Sequence, residues 1–229
     1  MLVMSSDPTA DLLATDRTRV RRLRDRGVHD RATVEAIVDE AYVAHVGFVV
    51  DGEPRVLPMT YGRDGDVLYL HGAVGNAMLR ASSGAEVCVT ITLLDGLVLA
   101  RSAFHHSMNY RSVVVLGEAV KVDDPDEKAR ALDAIVDQVL AGRSRASRPA
   151  DESELRKTAV LRVPLAEASA KLRTGGAVDE PAGLPLPHWA GVVPLSLVAG
   201  EPEQDALQVA DPALSSLAAP VLPSRGRGA

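Results

Sequence analysis

The arrangement in this sequence most like a site is the pair Tyr69 and His71. They sit two residues apart near the end of the run RVLPMTYGRDGDVLYLHG, Arg55 to Gly72, so in a strand a phenol and an imidazole share one face. Gly72 follows directly and leaves room there for another backbone or a flat ligand. Further polar and aromatic side chains gather where strands should begin or end. These are Arg55, the run SMNYRS with Tyr110, Arg111 and Ser112, the run KLRTGG from Lys171 to Gly176, and the run HWAG with Trp189. Singly, each has an ordinary role: Arg55 as a surface edge residue, Tyr110 as a core ring with a wet hydroxyl, Trp189 as a packing anchor for a loop. Together, arginines, hydroxyls and a flat aromatic are what an anionic ligand with a large planar ring requires.

Other chemistries find no support. The phosphate-loop, dinucleotide, zinc-protease and nucleophile-elbow motifs do not occur. His105 and His106 are adjacent, so in an extended segment they point opposite ways, and no third ligand is spaced to join them; we expect no metal site. Asp95 and Asp124 occupy turn and cap positions. The single cysteine, Cys88, alternates with Val87 and Val89 as a buried thiol would, and it excludes an internal disulfide.

The elements that must hold these residues read as mainly β. A helix over Asp30–Ala41 presents Val34, Ile37, Val38 and Ala41 on one face, with Asp30 as its cap. A strand Tyr42–Val50 turns at Asp51–Pro54 into Arg55–Tyr61. A second hairpin joins Arg55–Tyr61 to Val67–His71 through Gly62–Asp66, with Leu68 and Leu70 facing inward. A short helix Asn76–Ser82 follows. Next come the long strand Ala85–Ala100, interrupted at Asp95-Gly96, and the strand Tyr110–Val122 with Gly117 as a bend. Asp124–Gly142 is the strongest helix: Asp124 caps it, Glu127 completes a capping box, and Leu132, Ile135, Val136, Val139 and Leu140 form its apolar stripe. Asp151–Thr158 adds a short helix and Ala159–Ala168 a last strand, with Pro164 marking an edge. About six strands with short connections predict an antiparallel barrel with peripheral helices.

Size and charge bound the rest. The chain has 229 residues, 46% of them hydrophobic, enough for one domain with a proper core. We expect a flexible leader over 1–16, the barrel over 17–198, and a Pro/Ala/Ser/Gly-rich disordered tail over 199–229. A net charge of −6 gives a nucleic-acid partner no overall support. The basic run Arg17–Arg26 reads as a solvated arm that packs on the barrel or pairs with acidic residues. The N-terminus has no signal-peptide pattern and no stretch is long and apolar enough for a membrane span, so the expectation is a cytoplasmic protein.

The runs RVLPMTYGRDGDVLYLHG, DGLVLARSAFHHSMNYRSVVVLGEA, KLRTGG and WAGVVPL, over roughly residues 17–198, resemble the pyridoxamine 5′-phosphate oxidase-like family of FMN-binding split barrels. Within it they are most similar to the nitroimidazole-resistance branch. The resemblance implies a six-stranded antiparallel split β-barrel, a homodimer with FMN at the subunit interface, and transfer of a hydride or electrons to a small acceptor such as a nitro-aromatic compound. It implies that Arg55, Pro58, Met59 and Thr60 lie along the flavin. Tyr69, His71 and Gly72 would bracket its ring or phosphate, Tyr110, Arg111 and Ser112 would supply polar contacts, and Trp189 would lie near the partner's flavin. His71 matches the histidine that the branch places beside the ring, the candidate for proton handling. Many relatives carry a lysine or arginine for the phosphate in the helix after His-Gly. Here the run is GNAMLR, leaving Asn76 and Arg80. The chain also lacks the late basic motif of enzymes that act on vitamin B6 phosphate. Two alternatives stay open: a non-catalytic protein holding haem, with His71 or His45 as axial ligand, or a deazaflavin; and a barrel that is only a dimeric scaffold.

Overall fold

The structure, a computed structural model, describes Leu12 and residues 14–210. The expected leader and tail therefore fall largely outside the described residues. The order is β1 (Gly27–Val28), α1 (Arg31–Glu40), β2 (Ala44–Val50), β3 (Glu53–Met59), β4 (Tyr61–Asp64), β5 (Val67–Ala73), α2 (Ala77–Ser82), β6 (Ala85–Leu99), β7 (Ser107–Lys121), α3 (Pro125–Val139), α4 (Glu152–Lys157), β8 (Thr158–Pro164), β9 (Ala168–Arg173), β10 (Gly191–Pro194) and α5 (Ala206–Ala210). All pairings are antiparallel, and the main path runs β3-β2-β6-β7-β8-β5-β4 with β1, β9 and β10 attached at the side. The sheet curls around one core without closing, the form of a split barrel. The count reaches ten because short segments such as β1 and β10 pair without being long enough to show alternation. Among the described residues, no helix is long and apolar enough to cross a membrane.

Alternation explains the core. Leu68, Leu70, Val87, Val89, Ile91, Val113, Val115, Leu161 and Val163 all face inward and are buried. Each such side chain contributes about 2 kcal/mol by leaving water. β7 holds the barrel together: it pairs with β6 as far as Ala119, with β9 from Tyr110 to Val115, and with β8 at Val120 and Lys121. Gly117 lies where β7 changes partner, the expected bend. The interruption at Asp95 is a bulge, with the β6–β7 register shifting between Leu94 and Gly96.

Three expectations change. Arg55–Tyr61 does not pair with Val67–His71. The chain breaks at Thr60, so β3 and β4 lie at opposite ends of the sheet path, and β5 pairs with β4 around Gly65-Asp66. Gly62 is therefore a strand residue rather than a turn residue. A Cβ there would come within 2.5 Å of the Ile135 nitrogen, so α3 rests its backbone on the missing side chain. Second, the last strand is two, β8 and β9, separated at 165–167.

Third, α3 turns a different face to the sheet. It buries Ala131, Ile135 and Gln138, while Val136 and Val139 stay exposed. The buried amide of Gln138 decides this, because its Nε2 donates to the carbonyls of Val38 at 3.0 Å and Ala41 at 2.6 Å, groups that the end of α1 leaves without helical partners. Glu127 does not close a capping box, since its carboxylate accepts from the Tyr69 hydroxyl at 3.2 Å. The capping box belongs to α4, between Asp151 and Glu154.

Candidate functional site

The residues singled out by sequence separate into two places on the outside of the barrel. The first lies on β5. Tyr69 is buried under α3 with Val122, Ala131, Ile135 and Val160. His71, two residues on and opposite Val160, faces a cavity of about 320 Å³ between α3 and the segment 144–155. Apolar walls come from Leu132, Ile135 and Val136 on one side and Pro149, Ala150 and Leu155 on the other. Ser144, Ser147, Arg148 and Glu154 are the polar residues of the second side. Nδ1 of His71 is buried without a hydrogen-bond partner, and burial holds the imidazole pKa below its ordinary value. A neutral imidazole on an apolar slot of this size is competent to ligate a metal of a flat cofactor.

Neighbouring candidates are engaged locally. The Asn76 side chain caps α2, accepting from Met78 N at 2.9 Å and Leu79 N at 3.3 Å. Leu79 and Asn76 also fill the space at Gly72, where an added Cβ would come within 2.9 Å of Leu79. Arg80 is exposed in the last turn of α2.

The second place is a sheet face that this chain leaves largely bare. Register puts Val56 and Pro58 of β3, His45 and Val49 of β2, Thr90, Thr92 and Leu94 of β6, and Tyr110 and Ser112 of β7 on one side. Val49, Val56 and Leu94 are each more than half exposed there. Arg55 and Met59 fall on the opposite side of β3, where Arg55 is exposed and pairs with Glu53 at 3.3 Å. Thr60 is exposed at the break after β3.

Arg111 points to the barrel end and is held by two carboxylates. It bonds Glu40 Oε1 at 2.8 Å and Asp95 at 2.9 and 3.0 Å, and these bonds raise its pKa further. A guanidinium so neutralised has little left for a phosphate. The exposed ring of Trp189 folds over Gly191 at the start of β10, where an added Cβ would meet it at 2.9 Å. His105 and His106 lie at a short turn, with His106 Nδ1 3.0 Å from the Ser102 carbonyl. A broader hollow of about 490 Å³ by Asp39, Arg63 and Asp133 is an ionic groove in which Arg63 and Asp39 pair at 2.5 Å.

The cavity walls escaped the sequence reading. Leu132 and Val136 look like core stripe, and 143–149 like a plain polar connector. The one signal was an apolar stripe on α3 wider than a single sheet contact needs.

Residues 30–172 match the family described as pyridoxamine 5′-phosphate oxidase. The chain belongs to this family. Among solved structures it is similar to the flavocytochrome Anf3 from Azotobacter vinelandii, at 37% identity over 92% of this chain and 95% of that one, with a TM-score of 0.79. It is similar also to the FAD and haem binding protein from Mycobacterium smegmatis, at 33% identity over 87% and 95% of the two chains, TM-score 0.76. A protein assigned to 5-nitroimidazole antibiotic resistance from Bacteroides thetaiotaomicron shares 28% identity over 63% of this chain and 85% of its own, TM-score 0.53. No curated protein matches the chain.

Proposed function

We propose that this chain is a homodimeric flavin-binding redox protein that also holds a haem in the cavity at His71. The carrying observation is the imidazole itself: half-buried, its pKa held down by that burial, its Nδ1 buried and unpartnered, and facing an apolar slot between α3 and 144–155. Two similar proteins, one a flavocytochrome and one an FAD and haem binding protein, support reading the slot this way. His71 would hold the iron of such a group through its imidazole. Leu132, Val136 and Leu155 would exclude water from the group, while Arg148 at the cavity is paired with Glu154 at 2.7 Å. His45, the other candidate ligand, is exposed on the bare sheet face and has no slot in this chain.

The flavin reading rests on that bare face. Tyr110, Ser112 and Thr92 offer hydroxyls to the polar edge of a ring, and Pro58 and Val56 offer it an apolar border. One open sheet cannot bury a planar cofactor, so a second copy would supply the other wall, with Trp189 free to reach it. When bound, the two groups supply electron or hydride transfer between a reductant and a small acceptor. The residues here bind, orient and shield. A nitro-aromatic compound is the first acceptor to try, given the similarity to the resistance protein.

The deciding measurement is the absorption spectrum of the purified chain, repeated after adding FMN, FAD and haem. Two flavin bands and a Soret band are expected in the wild type, with His71→Ala losing only the Soret band. A wild type that takes up neither group, or a His71→Ala protein with an unchanged Soret band, overturns the reading.

A further inference from the structure

Of the residues expected at a flavin phosphate, Arg55 is turned away, Arg111 is neutralised by Glu40 and Asp95, Asn76 is engaged as a cap, and Arg80 alone stays exposed, on α2. Another cation in the fold is buried. Arg173, the last residue of β9, is only 7% exposed. It donates to the side-chain oxygen of Asn109, to the Gly175 carbonyl at 3.5 Å and to the Gly176 carbonyl at 3.1 Å. All three acceptors are neutral. Among the described residues Arg173 has no carboxylate partner, and part of its N–H fork has no acceptor.

A second arginine lies beside it. β1 pairs with β9 so that Gly27 is opposite Lys171, and Arg26 ends the short turn Arg24–Arg26 that leads into β1. Burial and the field of Arg26 both press the Arg173 pKa below its ordinary value. Burying a guanidinium next to a like charge is costly unless an anion completes the arrangement. Elsewhere in the basic run Arg17 pairs with Glu86 at 2.6 Å and Arg19 with Asp16 at 3.5 Å. The Tyr110 phenol is also close enough to interact with Arg173, and Tyr110 stands opposite it across the β7–β9 pair. The arginine pair therefore adjoins the bare face where the flavin is placed.

We infer that Arg173, with Arg26, is the phosphate anchor of this chain, a site for the phosphoryl group of a flavin nucleotide. The inference rests on the flavin reading for the rest of the ligand, but the anion site stands on its own geometry. Asn109 and the Gly175-Gly176 carbonyls hold the guanidinium in place, and Arg26, half-buried in the turn before β1, would add its charge to the same anion.

The test titrates full-length, flavin-free protein with riboflavin, FMN and FAD, following flavin fluorescence, and with inorganic pyrophosphate, following the melting temperature. The wild type should prefer FMN to riboflavin by about 100-fold, and Arg173→Gln should remove most of that preference while moving riboflavin affinity less than about twofold. Because Arg173 is buried, Arg26→Gln is the companion variant. It keeps the fold and should weaken FMN about 10-fold, again without touching riboflavin. Equal loss for riboflavin and FMN, or no loss in either variant, overturns the anchor. If no flavin binds at all, the flavin reading fails separately. The anchor then survives only if pyrophosphate raises the melting temperature of the wild type and not of Arg26→Gln; otherwise it is overturned too.

Discussion

Two outer faces of one barrel are treated in opposite ways. On β5 and β8 the chain covers its own sheet with α3 and the segment 144–155, leaving a lined cavity at His71. On β2, β3, β6 and β7 it covers little, so Val49, Val56 and Leu94 face outward uncovered. The first face is a site that a single chain can complete. The second leaves apolar side chains in water, an exposure that a second surface would remove.

The most damaging way to break this contrast is to lift α3 off. Gly62→Val places side-chain atoms where the backbone of Ala134 and Ile135 already sits, and should cost about 3 kcal/mol in urea unfolding and abolish haem uptake. A variant with wild-type stability would mean that α3 is not seated on β4.

His71→Ala acts on the covered face alone. Haem affinity should fall at least about 100-fold by Soret titration while flavin content stays near wild type. Parallel loss of both would merge the two faces into one site.

On the bare face, where the proposed dimer would form, Val56→Asp should shift that dimer towards monomer in sedimentation, with unfolding free energy changed by no more than about 0.5 kcal/mol. A dimer indifferent to this change would put the partner elsewhere.

The smallest effect is the pH dependence. The His71 pKa in the fold lies below its ordinary 6.5, so as pH falls the unfolded chain takes up the proton first. Stability gained by burying the ring neutral is complete above pH 6.5 and is lost as pH drops through the lower folded value. The melting temperature of haem-free protein should therefore fall less between pH 7 and 5 in His71→Gln than in wild type. Equal slopes would show that the imidazole is not desolvated.

What was legible in the sequence follows range of interaction. The Asp30 and Asp124 caps, the turn at Asp51-Gly52 and the inward leucines of β5 are local, and each stands where its pattern puts it. The break at Thr60 is not local. Gly62 looks like a turn glycine until α3, more than seventy residues later in the chain, is found resting on it. The face of α3 was likewise decided by carbonyls of α1 that attract Gln138 rather than by the helix's own stripe. Of the site, the sequence singled out His71 and Tyr110. It could not show that they look out from different sides, or that Arg111 would be claimed by Glu40 and Asp95.

β7 carries a consequence of its own. Ser107 to Ala119 pair with β6, Tyr110 to Val115 also with β9, and Val120 and Lys121 with β8, so it belongs to both halves of the barrel. Neither half can exchange its amide protons by opening alone without breaking a strand the other half needs. The slowest-exchanging amides should run along Val113–Val115 and on to Val120, and heating should produce a single cooperative transition in which covered and bare faces are lost together.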